Sequence, residues 1–165
     1  MREFDESGLR LSKYQGELFE ESLIKTQCSS PVFLRRFMYS KTAERMDKEG
    51  FLFEAFSVSD VIEEIDNEYG KSNYGQIKYT REELYWMGYI YRYWAYTCKV
   101  SSKSIYRIIK PEELRKLYFP YHSLDPVQVI ERIKESKGIL EQDYTQRGVE
   151  ILKKIRNSKM GNKVD

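Results

Sequence analysis

Three observations predict an all-α fold for this chain. Apolar residues recur at helical spacing through most of its length. The segments so marked open on Ser, Thr, Asp or Pro and close near Gly or Pro, the usual helix start and stop signals. One segment, residues 81–98, carries aromatic side chains around its whole circumference, so it reads as a buried helix wrapped by its neighbours. The expected architecture is a compact single-domain bundle of about six to eight helices around that aromatic helix, with a helix-turn-helix-like hairpin attached.

The elements follow in order. Residues 1–8 are set aside as a flexible N-terminus. From Leu9 to about Thr26, Leu11, Tyr14, Leu18, Phe19 and Leu23 repeat with helical period. Ser30-Pro31 starts a second helix through VFLRRFMYS, with Phe33, Phe37 and Met38 inward and Arg35 and Arg36 outward. Ser40 starts a short helix that stops at Gly50, and Ser57 with Asp60 caps the next, which Gly70 ends. GKSNYGQIKY, residues 70–79, is loop, with a short extended piece around Ile77. Thr80 with Glu83 forms a capping box for the aromatic helix. Lys110-Pro111 opens a helix limited by Pro120, and Asp125-Pro126 opens one that runs to Gly138. A last helix spans 140–156, weakened by Gly148, so the single domain covers 9–156 and residues 157–165 form a flexible tail.

Composition bounds the function. The 165 residues suit one domain with a real core, and a net charge of +2 excludes a polycation. Residues 1–80 carry 11 basic and 15 acidic side chains, net −4, against 17 and 11, net +6, for residues 81–165. The second part thus suits an anionic surface, although solvated helix faces produce the same asymmetry. Cys28 and Cys98 stand in no motif, and with no signal peptide in view a reduced, cytoplasmic protein is expected. No apolar run reaches the length of a membrane span, so no membrane partner is expected.

No Walker loop, GxGxxG, GxSxG or HExxH occurs. His122, the single histidine, lacks the partners that a triad or zinc site needs, and is expected to cap or hydrogen-bond a nearby helix end. No catalytic residue, metal ligand or cofactor site is therefore assigned, and a non-enzyme is expected. Arg92 is the lone charge in the aromatic segment. It either reaches the surface or pairs with an acid such as Glu63 or Glu64, or else it helps tyrosines line a pocket for an anion.

The sharpest pattern is WAYTCKVSSKSIYRIIK, residues 94–110. Ala95 supplies the small inter-helix contact of a helix-turn-helix, and Ser101 or Ser102 caps the second helix. Ile105, Ile108 and Ile109 form its inward stripe. Ser102, Lys103, Tyr106, Arg107 and Lys110 are left outward, and these types suit phosphate and base-edge contacts. One departure is that Lys99 occupies the turn position usually given to glycine. Packed helical corners share the same pattern without touching DNA. Arg35, Arg36 and Tyr121, the last in the loop-like FPYHSLDP, complete the candidate contacts for nucleic acid or a protein partner.

FLRRFMYSKTAERMDKEGFLFEA and ELYWMGYIYRYWAYTCKVSSKSIYRIIKPEELRKLYFPYHSLDP together resemble a group of small proteins of Gram-positive gut-type bacteria. Such proteins look like members of mobile gene clusters whose company resembles toxin–antitoxin modules. The resemblance covers about residues 28–135 and supplies no catalytic residues to carry over. It implies an antitoxin-like or accessory defence-related protein that neutralises a protein partner, a toxin or a defence enzyme. DNA is the second candidate partner, through an autoregulatory hairpin. The alternatives are a stand-alone helix-turn-helix regulator and a phage or mobile-element inhibitor of a nucleic-acid-targeting defence enzyme. Oligomeric state stays open.

Overall fold

Local capping decides where most of the helices begin. The computed structural model describes residues 1–49 and 56–139, and among them lie eight helices and no strand. Helix α1 is Glu6–Lys25, opened by the Asp5 carboxylate accepting from the Gly8 N–H at 2.9 Å. Helix α2 is Ser30–Tyr39, capped by Ser29 with Pro31 in its first turn. Helix α3, Lys41–Glu49, begins where the Ser40 hydroxyl accepts from the Ala43 N–H at 3.0 Å. Helix α4 is Val58–Tyr69, capped by Ser57 and closed by Gly70 at φ 81°. Helix α5, Arg81–Cys98, has the full capping box. The Thr80 hydroxyl accepts from the Glu83 N–H at 3.2 Å and the Glu83 carboxylate from the Thr80 N–H at 3.0 Å. Helices α6, Ser102–Ile108, α7, Pro111–Tyr121, and α8, Pro126–Ser136, complete the set.

Three details differ from the sequence expectation. Helix α1 starts at Glu6 rather than Leu9, because Asp5 caps it. The segment ahead of it, set aside as flexible, is engaged: the Arg2 N–H donates to the Thr97 carbonyl at 2.7 Å, and the Phe4 ring lies 4.2 Å from that of Tyr93. Pro120 does not stop α7 but sits in its last turn, where His122 still donates its N–H to the Tyr118 carbonyl at 2.8 Å. Residues 70–79 are loop, as expected, and the piece around Ile77 pairs into no strand. It is tied to the start of α2, with the Ser29 N–H donating to the Tyr74 carbonyl and the Ser30 N–H to that of Ile77, both at 2.9 Å. Gly50, the helix expected over 140–156 and the tail expected over 157–165 lie outside the described residues.

The chain divides into two compact units, Met1–Pro126 and Val127–Asp165. In the second, α8 buries Val129, Ile130 and Ile133. In the first, α1 and α5 make the principal helix pair. They approach so closely that a Cβ on Gly88 would run into the Gln15 carbonyl, and one on Gly16 would sit 2.9 Å from the Tyr85 ring. Side chains at those two positions would hold the backbones apart. Around this crossing, Phe19 packs edge-on against Phe33, Phe37 and Tyr91 at 6.1, 5.3 and 6.4 Å. Phe33, Phe37 and Met38 are buried as expected.

The aromatic helix is central over only part of its length. Ile90 to Thr97 is continuously buried, whereas Tyr85, Trp86 and Tyr89 in the preceding turns are half-buried. No helix among the described residues is long and apolar enough to cross a membrane.

Candidate binding interface

The hairpin of residues 94–110 forms, with a lysine at its tightest point. Lys99 ends α5 in the left-handed conformation, φ 52° and ψ 43°, and is the one non-glycine with positive φ among the described residues. That conformation costs an L-residue roughly 1 kcal/mol or more. Ser101 then caps α6 by accepting from the Ser104 N–H at 3.1 Å. Ile105 and Ile109 are buried and Ile108 is half-buried. The Tyr91 hydroxyl donates to the Ile109 carbonyl at 2.8 Å, which fixes the end of α6 against α5. Burial pushes the Tyr91 phenol well above its ordinary pKa.

Ser102, expected outward, is buried. Its N–H and hydroxyl both donate to Asp47, at 2.9 and 2.7 Å, and its oxygen accepts from Arg92 at 3.1 Å. The helical spacing explains why: Ser102 lies three residues before Ile105 and seven before Ile109, on their inward stripe. It is withdrawn from nucleic acid or a partner.

Arg92 centres this polar knot. Its side chain is 2 % exposed; Nε donates to Gln15 Oε1 at 2.7 Å and Nη1 to Asp47 Oδ1 at 2.7 Å. The partner is therefore Asp47, not Glu63 or Glu64; Glu64 instead accepts from Thr42 and Arg45 at 3.1 and 3.2 Å. One guanidinium links α1, α3, α5 and α6, as only its planar fork of donors can. Asp47 carried a signal that the sequence reading missed. It follows Ala43 by four residues and buried Met46 by one, placing an acid on the apolar face of a short helix. Gln15 Nε2 in the knot, and elsewhere Ser12 Oγ and Trp94 Nε1, are buried without a hydrogen-bond partner among the described residues.

Next to the knot, α2 and α6 present a basic-aromatic face. Tyr39 and Tyr106 meet edge to face at 5.2 Å, and the Lys103 ammonium lies 5.4 Å above the Tyr39 ring. Burial and Glu112 push the Tyr106 phenol up while the nearby Arg35 charge acts against them, so Arg35 belongs to the same patch. Arg35 and Lys103 are exposed, and both tyrosines are half-buried. The structure thus brings together Arg35, Lys103 and Tyr106 from two distant stretches, and adds Tyr39, whose place four residues after Arg35 on α2 was the available clue.

The remaining candidates separate from it. Arg36 was expected outward but is half-buried, donating to the Gly70 carbonyl at 2.6 Å and lying 5.5 Å from the Tyr69 ring. It satisfies the C-terminus of α4, a structural task. Arg107 and Lys110 are exposed, Lys110 as the N-cap residue of α7. Tyr121 is half-buried at the last residue of α7. His122 does act on a helix end: its ring stacks on Tyr118 at 4.8 Å, with Nδ1 3.0 Å from the Tyr118 carbonyl oxygen. Among the described residues, no three His, Cys, Asp or Glu side chains gather to hold a metal ion.

No protein-family model, curated protein or solved structure matches this chain.

Proposed function

We propose that this chain is a non-enzymatic, antitoxin-like or accessory defence-related protein that neutralises a protein partner by covering it. The binding surface is the face of α2 and α6 built from Arg35, Tyr39, Lys103 and Tyr106. What supports this is the convergence of two cations and two mutually packed tyrosine rings, half-buried and held in place before any partner arrives. Arg and Tyr are the side chains from which interface anchors are most often made, and rings already ordered lose little entropy on binding. The charge of the face selects an acidic surface on the partner.

A duplex-reading hairpin is the second reading. It is favoured by the exposed Lys103, Arg107 and Lys110 following a left-handed turn. Two observations weigh against insertion into a groove. Helix α6 has 7 residues, and the Asp47 carboxylate occupies its first turn, where a phosphate would otherwise approach. An inhibitor of a defence nuclease would use the same face on a different target.

The deciding experiment is rescue. A co-transcribed gene that is lethal alone should be tolerated when this chain is co-expressed, and tolerance should vanish with Arg35→Ala/Lys103→Ala/Tyr106→Ala. Lethality that the wild-type chain does not relieve would sink the neutraliser reading. Duplex affinity falling steeply with salt, at about 0.9 log units per phosphate contacted, would put the regulator first.

A further inference from the structure

Beside the Arg92 knot lies a cleft of about 680 Å³, bounded by the N-terminal segment, α2, α3 and the α5–α6 turn. That volume falls within the range of small-molecule sites. Leu11, Met38, Met46 and Ala95 back it from the core, each at most 6 % exposed. Five cations line it against two acids, Glu44 and Asp47. The acids are already committed: Lys48 lies 3.0 Å from Glu44, and Arg92 lies 2.7 Å from Asp47. Arg2, Lys99 and Lys103 make no direct ion pair among the described residues, although Arg2 acts on the Asp5 carboxylate and Lys103 on that of Glu44 from further off. Arg2 rests 3.9 Å over the Tyr96 ring and Lys103 5.4 Å over that of Tyr39. Both rings line the cleft as well.

Lys99 adds an independent observation. A glycine would hold the α5–α6 turn without strain, yet the position carries a lysine forced to φ 52° whose side chain borders the cleft. Backbone strain of this kind marks positions where a side chain is needed for more than the turn. Five cations against two acids leave the lining with a positive surplus, which calls for a ligand with more than one negative charge.

We propose that this cleft binds a small phosphorylated molecule, with a phosphate or diphosphate held by Arg2, Lys99 and Lys103 and the body of the molecule beside the half-buried Tyr39 ring. This goes beyond the partner-binding reading and stands whether or not that reading holds. The shared chemistry, a phosphate group, is offered both by a free metabolite and by a nucleic-acid backbone; the enclosure of the cleft by several elements selects the free form.

Calorimetric titration of the full chain, freed of nucleic acid, with inorganic pyrophosphate and separately with adenosine diphosphate tests it. Saturable one-to-one binding is expected, tighter for the nucleoside diphosphate because its base meets the Tyr39 ring. Lys103→Gln and Lys99→Gly should each weaken affinity about 10-fold, because each removes one charge-assisted hydrogen bond to the phosphate. Lys99→Gly also relieves the turn, so its melting temperature should hold or rise while its affinity falls, a divergence that a purely structural lysine does not produce. Arg107→Gln, outside the cleft, should bind as wild type. Absence of saturable heat at millimolar ligand would overturn the proposal. So would equal weakening in Arg107→Gln, or binding of a single-stranded oligonucleotide with none of pyrophosphate.

Discussion

Two polar clusters draw on the same short helix, α6, and behave as opposites. In the knot, Arg92, Asp47, Gln15 and Ser102 hydrogen-bond to one another, and all but the partly exposed Asp47 are buried. On the face, Arg35 and Lys103 are exposed, and the tyrosines are ordered by ring contacts. Ser102 and Lys103 are sequence neighbours, yet one closes the fold and the other remains available to a partner. What separates them is the helical period: one residue's rotation on α6 decides between inside and outside.

The difference is largest when the knot is broken. Asp47→Ala leaves a buried guanidinium and the Ser102 N–H without their acceptor, and should cost about 3–5 kcal/mol in urea denaturation. A loss under about 1 kcal/mol would mean that Arg92 finds solvent or another acid. Next comes the helix crossing behind the knot. Gly88→Ala drives a methyl into the Gln15 carbonyl, the residue whose side chain accepts from Arg92. Overpacking of this kind should destabilise by about 1–3 kcal/mol, and an unchanged melting temperature would show that α1 can slide.

Alkaline pH probes the same interior more gently. Burial, with neighbouring acids, raises Tyr14 and Tyr79 to about 12, and burial holds Tyr91 higher than an ordinary phenol. A phenol raised in the folded state contributes stability that is complete below its unfolded pKa of 10 and is lost as pH climbs through the folded value. Phenolate absorbance should therefore show a group of tyrosines that titrate late, together with unfolding. A single titration near pH 10 with the fold intact would contradict the burial of Tyr91.

Much of this fold was legible because its signals are contiguous. Thr80 and Glu83, Ser57 and Asp60, and Gly70 are caps written within a few residues of the helices they bound, so α4 and α5 fall where the sequence places them. Partnerships across the fold were not. Arg92 lies 45 residues from Asp47 and 77 from Gln15, and acidic residues nearer the expected packing were equally eligible until the helices were placed. The Gly16–Gly88 approach was hidden for the same reason: a lone mid-helix glycine reads as a propensity defect until another helix is laid against it. The face was half legible. Arg35, Lys103 and Tyr106 stood out by their types, but their union depends on α2 meeting α6, and Arg36 was lost to the α4 terminus.

The smallest effect on stability should accompany the largest on binding. Arg35→Ala/Lys103→Ala/Tyr106→Ala should lose about 1–2 kcal/mol, nearly all of it from the half-buried Tyr106 ring and its contact with Tyr39, since the exposed cations contribute little. Affinity for the protein that survives nuclease treatment in co-purification should fall at least about 10-fold, as for removal of anchor residues. Measuring that affinity and the urea midpoint on the same preparation is the most direct test. A folded triple variant that has lost its partner is the predicted result; one that binds as tightly as wild type would contradict the division between knot and face.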